Sequence, residues 1–319
     1  MTRFPSWTIY AALLVLFWGV WGAFSAAPTT LYGYPNGMVY AIWSVTMIIP
    51  AVFVLRRQGF DRRPKAAFYG LIIGLTGAAG QLVLFYTLTI GPAYLIFPII
   101  SVSPAITVLL ALAVLKERLR PLAFAGLGAV LLALILFSIT GDTSGRSTGP
   151  WLLLALVITV AWGVQAFFMR KAATEGVNDA TTFTWMAISA LALAPVGIAL
   201  AGGLNLDAPW QAPALTFGTQ LLNAIGALFL VMALSRGKAS VVSPVTNALA
   251  PALTVIVSLI AYATLPSVFG GIAIVLALVG STLMVYADEK RGEAVTAGAA
   301  GAAGATGEPE RRPEPVRRT

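Results

Sequence analysis

The sequence predicts an all-α integral membrane protein of ten transmembrane helices, arranged as two inverted five-helix repeats with both termini inside. Three observations predict it: ten apolar stretches of spanning length, the distribution of Lys and Arg among the loops, and an internal repeat whose copies differ in charge.

Composition identifies the solvent. Hydrophobic residues make up 58% of the 319 and charged residues only 10%, where a soluble domain carries about 25% charged. So few charges do not cover a water-facing surface, and lipid is the medium that tolerates such a chain. The net charge of +8 does not point to nucleic acid, because the basic residues sit in short loops between apolar runs and read as topology signals. Cys and His are absent. Disulfide, thiolate and imidazole chemistry is therefore unavailable, no metal or cofactor is expected, and the commonest general base is missing.

A helix needs about 20 residues at 1.5 Å each to cross a ~30 Å hydrocarbon core. The first span, Trp7–Ala27, follows Arg3 and ends in small residues that imitate a signal-cleavage site, but its sequence recurs later and it is read as retained. The second, Gly37–Leu55, stops at Arg56 and Arg57, and the third, Ala66–Thr87, starts after Lys65. A tight turn over Thr89–Ala93 leads to the fourth, Tyr94–Leu115, which runs into Lys116. The fifth is Pro121–Ile139, and the sixth, Trp151–Met169, ends at Arg170 and Lys171. Ala180–Leu200, Leu215–Leu234, Ser240–Leu259 and Val268–Tyr286 complete the set, with a second tight turn around Ser235–Ala239.

With the N-terminus inside, ten crossings place 19 of the 20 Lys and Arg on the inner side; only Arg146 falls outside. Lys and Arg are retained on the cytoplasmic side during insertion, so this split supports both the span count and the direction. It also predicts a bacterial cytoplasmic membrane location. Beyond Tyr286 the chain turns to Ala and Gly, then to Glu, Pro and Arg. Residues 288–319 are expected to be a disordered inner tail whose Arg residues touch lipid headgroups at most.

The repeat divides the membrane part into residues 1–145 and 146–287. Phe17-Trp18-Gly19-Val20-Trp21-Gly22 recurs as Ala161-Trp162-Gly163-Val164-Gln165-Ala166, and Asn36 and Trp43 recur as Asn178 and Trp185. Gly77–Ala93 aligns without gaps on Asn223–Ala239, with 7 identities in 17. Pro98 then matches Pro244, and Pro104 matches Pro251 after a one-residue insertion. Five spans per copy force the second copy to enter the membrane the other way up. The charges agree: neutral Gly91-Pro92-Ala93 becomes Gly237-Lys238-Ala239, and Lys116-Glu117-Arg118-Leu119-Arg120 becomes the uncharged segment Tyr262–Ser267. Inverted repeats place a substrate near the midplane between the halves.

These features, the Trp-Gly pairs, the Gly-Pro-Ala turn followed by Pro98 and Pro104, and Lys116-Glu117-Arg118-Leu119, resemble the drug/metabolite transporter superfamily, in its EamA-type ten-helix members. The resemblance covers roughly residues 7–286. It implies a carrier of amino acids, sugars, nucleotide sugars or other small metabolites, often outward, with a cavity lined by spans one to four and six to nine. The second half departs from the pattern by lacking an acidic residue after the ninth span.

No span carries a charge in its middle, and the twelve acidic residues lie in loops or the tail. A mid-membrane charge costs about 2.5–3.5 kcal/mol on insertion scales and usually marks an ion path. Facilitated transport is thus favoured over proton antiport, and a membrane-embedded enzyme is not expected. The candidate substrate-binding residues are Trp18, Trp21, Gln81, Tyr86, Trp162, Gln165, Asn223 and Asn247. Each has a plainer role open to it: Gln and Asn bridge helices, and a Trp near a span end anchors at the interface. For Trp43, Tyr40 and Trp185 the plainer role leads. Pro98, Pro104, Pro244 and Pro251 are candidate hinges, since an internal proline removes a backbone donor and frees a carbonyl.

The expected function is secondary transport of small neutral or zwitterionic metabolites such as amino acids, by alternating access and outward. A sugar-like or drug-like solute is the alternative within transport. A non-transporting scaffold or a lipid-linked-sugar flippase subunit is the alternative outside it. Lipids and a small-molecule substrate are the expected partners, a homodimer is left open, and no nucleic acid is expected.

Overall fold

A computed structural model describes residues 6–91, 96, 99–100, 102–139, 149–262 and 268–305. Among these residues every regular element is a helix. In chain order they are α1 (Ser6–Phe24), α2 (Ala27–Tyr32), α3 (Asn36–Thr46), α4 (Ile48–Gln58), α5 (Pro64–Ile90), α6 (Ser103–Ala113), α7 (Pro121–Ile139), α8 (Pro150–Thr174), α9 (Asp179–Leu200), α10 (Gln211–Arg236), α11 (Ala239–Tyr262) and α12 (Val268–Ala305). Eight stretches of the described chain are long and apolar enough to cross a membrane, with α1–α2 and α3–α4 each counting as one; α6 and α7 contribute two shorter apolar helices.

Local chemistry sets the boundaries. Prolines open α2, α5, α6 and α8, where a missing N–H costs nothing. Gly33 ends α2 at φ 61°, and its N–H donates to Thr29 O at 2.9 Å; a left-handed residue there is the usual stop for a helix. Asn178 caps α9, its Oδ1 accepting from Thr181 N at 2.8 Å, while its Nδ2 donates to Gly59 O at 3.2 Å. One side chain thereby starts a helix and ties it to the loop before α5.

Packing repeats itself. α1 lies against α10 and α11, and α8 lies against α5 and α6. Trp7 beds on Gly237 and Trp18 on Gly226; Trp151 beds on Gly91 and Trp162 on Gly80. A methyl group added to Gly226 would fall 2.2 Å from Trp18 Cδ1, and one added to Gly80 2.6 Å from Trp162 Nε1. Bare backbone is what lets the indoles approach so closely. Along each pair the tryptophan number rises as the glycine number falls, so the two helices run antiparallel. α7 packs chiefly on α12, where Gly126 and Gly280 lie at the crossing. Apolar side chains such as Leu109, Leu153, Val268 and Val275 face outward, as lipid requires.

Two boundaries differ from the sequence reading. The second span breaks at Met47 into α3 and α4. α12 continues to Ala305, so residues 288–305 are helical instead of belonging to the expected tail; alanine is the strongest helix former, and its run there carries the helix on. Residues 306–319 lie outside the described residues. So do Pro98 and much of the fourth span's first half.

Candidate functional site

Two polar clusters, each built from residues of both halves, hold most of the predicted residues. In the first, Trp18 Nε1 donates to Asn223 O at 3.1 Å, and Asn223 Nδ2 donates to Gln220 Oε1 at 3.3 Å. Asn223 is 5% exposed and Gln220 fully buried. In the second, Trp162 and Gln165 of α8 lie over Gly80 and Gly77 of α5, beside buried Gln81. Trp21 is half-buried on α1, and its Nε1 has no hydrogen-bond partner. Asn247 turns to its own helix, donating to Ser243 O at 2.9 Å. Tyr86 is exposed near the end of α5, apart from both clusters.

A pair of threonines that sequence reasoning missed joins the halves. Thr107 Oγ1 of α6 donates to Gly163 O of α8 at 3.0 Å, and Thr254 Oγ1 of α11 donates to Gly19 O of α1 at 3.0 Å. These are equivalent bonds in the two copies. The signal was present, since Gly19 and Gly163 align and Thr254 follows Pro251 as Thr107 follows Pro104. Threonines in helices normally satisfy their own backbone, which hid it.

The proline candidates are unalike. Pro104 sits in the first turn of α6, which starts just after the turn at Val102. Pro244 and Pro251 lie inside α11, which continues through both. Pro195, inside α9, was not singled out from the sequence.

Ion pairs gather as a loose network of separate groups at the end of the bundle where α4–α5, α6–α7, α8–α9 and α10–α11 connect: Asp61–Arg63, Glu175 with Lys65 and Lys171, Glu117–Arg170 and Asp179–Arg236. Glu117, buried, accepts from Ala239 N at 3.1 Å, Ser240 N at 2.9 Å and Ser240 Oγ at 2.6 Å. It thus caps the start of α11, where a carboxylate meets the positive end of the helix. Lys116 enters the left-handed region at φ 53° just before it, and Glu117 N returns to Ala111 O at 3.2 Å. Arg170 Nε stands 3.5 Å from Glu117 Oε1, and its Nη1 donates to Ser235 O at 3.0 Å. Arg236 pairs with Asp179 at 2.8 Å and covers the Tyr10 ring. Glu175 bonds Lys65 and Lys171, and those two partners, Lys65 foremost, hold its carboxyl at about 2, well below its ordinary 4.5. Arg63 does the same for Asp61 by hydrogen bonding, which lowers that carboxyl. A cavity of about 350 Å³ opens beside the network, lined by Glu117, Arg170, Lys171, Thr174 and Glu175 among others. None of the eight predicted substrate residues lines it.

The family model described as the EamA-like transporter family matches the chain twice, over residues 5–139 and 149–286. An uncharacterized protein of Methanocaldococcus jannaschii is 36% identical over 76 residues, which are 24% of this chain and 56% of that protein's length. The chain thus spans about half the length of this relative. A protein known by crystal structure superposes with a TM-score of 0.73 at 20% identity, over 88% of this chain and 99% of its own. That likeness concerns the fold alone.

Proposed function

Because the chain belongs to the EamA-like transporter family and is an integral membrane protein, we propose that it carries a small neutral or zwitterionic metabolite, such as an amino acid, outward across a bacterial cytoplasmic membrane by alternating access. In this reading ten spans form two inverted five-helix halves, residues 1–145 and 146–287, with both termini inside and the charged network on the cytoplasmic face. The single observation that carries the reading is the paired architecture: the Thr107–Gly163 and Thr254–Gly19 bonds, and the antiparallel tryptophan–glycine seams, join each half to the other. Two equivalent seams let one half rock on the other about a central site. Buried, uncharged Gln81, Gln165, Gln220 and Asn223 supply polar contacts there, and closure of the network over α11 holds the cytoplasmic end shut.

The test is flux in proteoliposomes over neutral amino acids, sugars and cationic dyes, with and without a pH gradient. Saturable flux of neutral or zwitterionic solutes that ignores the gradient supports the reading. Flux confined to sugars or dyes replaces the substrate class. A folded protein that moves nothing in the panel favours a scaffold or flippase subunit.

A further inference from the structure

The helices that end in basic residues are not alike. Lys171 in the last turn of α8 pairs with Glu175 at 2.9 Å, and Arg236 in the last turn of α10 pairs with Asp179 at 2.8 Å. The last turn of α4 carries two such residues, Arg56 and Arg57. Both are exposed, and neither makes an ion pair or a side-chain hydrogen bond among the described residues. A cation at a helix C-terminus meets the negative end of the dipole in all three helices. What sets α4 apart is that no acid answers its cations.

The surface leading to them is apolar. Along α4 the exposed positions are Ile48, Ile49, Val52 and Phe53, followed by Arg56 and Arg57. Their spacing puts them on one face of the helix, and Pro50, Ala51 and Val54 on the opposite face are buried. In an integral membrane protein this stripe faces lipid chains, and the two arginines stand where it reaches the helix end. Arg57 folds back along the stripe, its guanidinium over the Phe53 ring at 4.6 Å from the centroid. The ring holds one face of the guanidinium and leaves its N–H fork unused. The helix end itself is fixed: Asn178 Nδ2 donates to Gly59 O at 3.2 Å, and Ala180 N donates to Gln58 Oε1 at 3.2 Å. Both bonds tie it to the start of α9.

We propose that Arg56 and Arg57 form a docking site for the phosphate of an anionic membrane phospholipid, whose chains lie along Ile49, Val52 and Phe53. A guanidinium presents a planar fork of donors that matches phosphate oxygens, and basic residues at a membrane surface attract anionic lipid. A zwitterionic headgroup brings an ammonium that two neighbouring arginines repel. A soluble phosphate gains nothing from the apolar stripe, so the combination selects a lipid. The inference is independent of what the chain carries and of which way it is inserted.

The experiment titrates the purified full chain in neutral detergent with phosphatidylglycerol, phosphatidylcholine and glycerol 3-phosphate. Native mass spectrometry counts the bound lipids, and Tm is followed alongside. Phosphatidylglycerol is expected to bind about tenfold more tightly than phosphatidylcholine, and glycerol 3-phosphate is expected not to displace it. Arg56→Gln together with Arg57→Gln is expected to weaken phosphatidylglycerol about 25-fold, fivefold for each basic residue at a charged surface. Binding of phosphatidylcholine and the Tm without lipid are expected to stay as they are. Lys116→Gln with Arg120→Gln removes the same charge from another loop, where both side chains are also exposed and unpaired. That pair is expected to weaken phosphatidylglycerol less than about twofold, since distant exposed charges are screened. Should the arginine variant fail to fold, the wild type decides: about 1 M salt is expected to remove the preference for the anionic lipid. Equal binding of the two lipids, a preference that survives salt, or an equal loss in the Lys116 and Arg120 variant overturns the inference. So does a lowered Tm with lipid selectivity intact, which would leave the arginines as helix-end cations. Displacement by glycerol 3-phosphate at the lipid's own concentration would replace the lipid with a soluble anion.

Discussion

Glu117 and Ser240 are joined twice: the backbone N–H of Ser240 and its hydroxyl both donate to Glu117 Oε2, at 2.9 and 2.6 Å. A loop side chain of the first half therefore caps a helix of the second, 123 residues away. Glu117→Ala removes the acceptor of three donors and the partner of Arg170 in a buried place. It is expected to lower stability by about 2–3 kcal/mol, the scale of hydrogen bonds to a buried charge, read as a fall in Tm of the detergent-solubilised protein. Glu117→Gln keeps one acceptor oxygen and is expected to fall in between. A Tm unchanged in both would mean that the cap contributes nothing.

The tryptophan–glycine seams make a symmetric prediction. Gly226→Val and Gly80→Val each place carbon inside an indole, and overpacking of this kind costs about 1–3 kcal/mol. The two losses are expected to be similar, because the contacts are equivalent. Trp18→Leu is expected to recover part of the Gly226→Val loss and none of the Gly80→Val loss, as separate seams do not share partners. Melting curves of the singles and doubles give the answer; rescue across seams would show that the two seams are not independent.

How much of this was legible beforehand depends on the residue type. Trp18, Trp162, Gly80 and Gly226 could be read as a repeat because bulky rings and bare backbone leave few alternatives at a close crossing. Glu117 is legible as part of a charged loop, yet its cap is not, since nothing local connects it to Ser240. Gln220 escaped notice because its counterpart in the first half is Gly74, so the repeat gave it no support. Pro104 falls in the first turn of α6, a position that spacing alone does not distinguish from a helix interior. The length of α12 was missed because Ala-Gly composition says disorder when taken by itself, while a helix already under way extends readily through alanine.

The interhelical threonine bonds predict a small and additive effect. Thr107→Val and Thr254→Val keep volume and remove one hydroxyl bond each. Bonds of this type within membranes average about 0.6 kcal/mol. The double variant is expected to lose the sum, because the sites lie in different seams. A loss several times larger in the double than in the singles would reveal coupling between the seams.

Glu175 gives a pH dependence with a definite sign. Its carboxyl sits at about 2 in the folded chain against an ordinary 4.5, held there by Lys65 and then Lys171. The depressed value means that the unfolded chain binds the proton more tightly. The stabilisation is complete above about pH 4.5 and is lost as pH falls towards 2. Glu175→Gln is expected to flatten the acid limb of Tm against pH over that window and leave the neutral region little changed. The group faces water, so 1 M salt is expected to shrink the difference. An acid limb identical in wild type and variant would remove the pair from any account of acid stability.

The same network makes a prediction about access. If the cytoplasmic end closes through Glu117, weakening it shifts the population towards the open side without touching the midplane. Ser243, 2% exposed, lies one turn beyond Ser240 on α11, so it is sheltered while the cap holds. The chain has no native cysteine, and Ser243→Cys therefore reports without background. Labelling by a membrane-impermeant maleimide presented from the cytoplasmic side is expected to be slow in that variant. Adding Glu117→Gln is expected to speed it about tenfold, which corresponds to a shift of about 1.4 kcal/mol between the two states. Faster labelling from the opposite side would place the network on the outer face and reverse the proposed orientation. Equal rates with and without Glu117→Gln would make the cap a structural tie and not a gate.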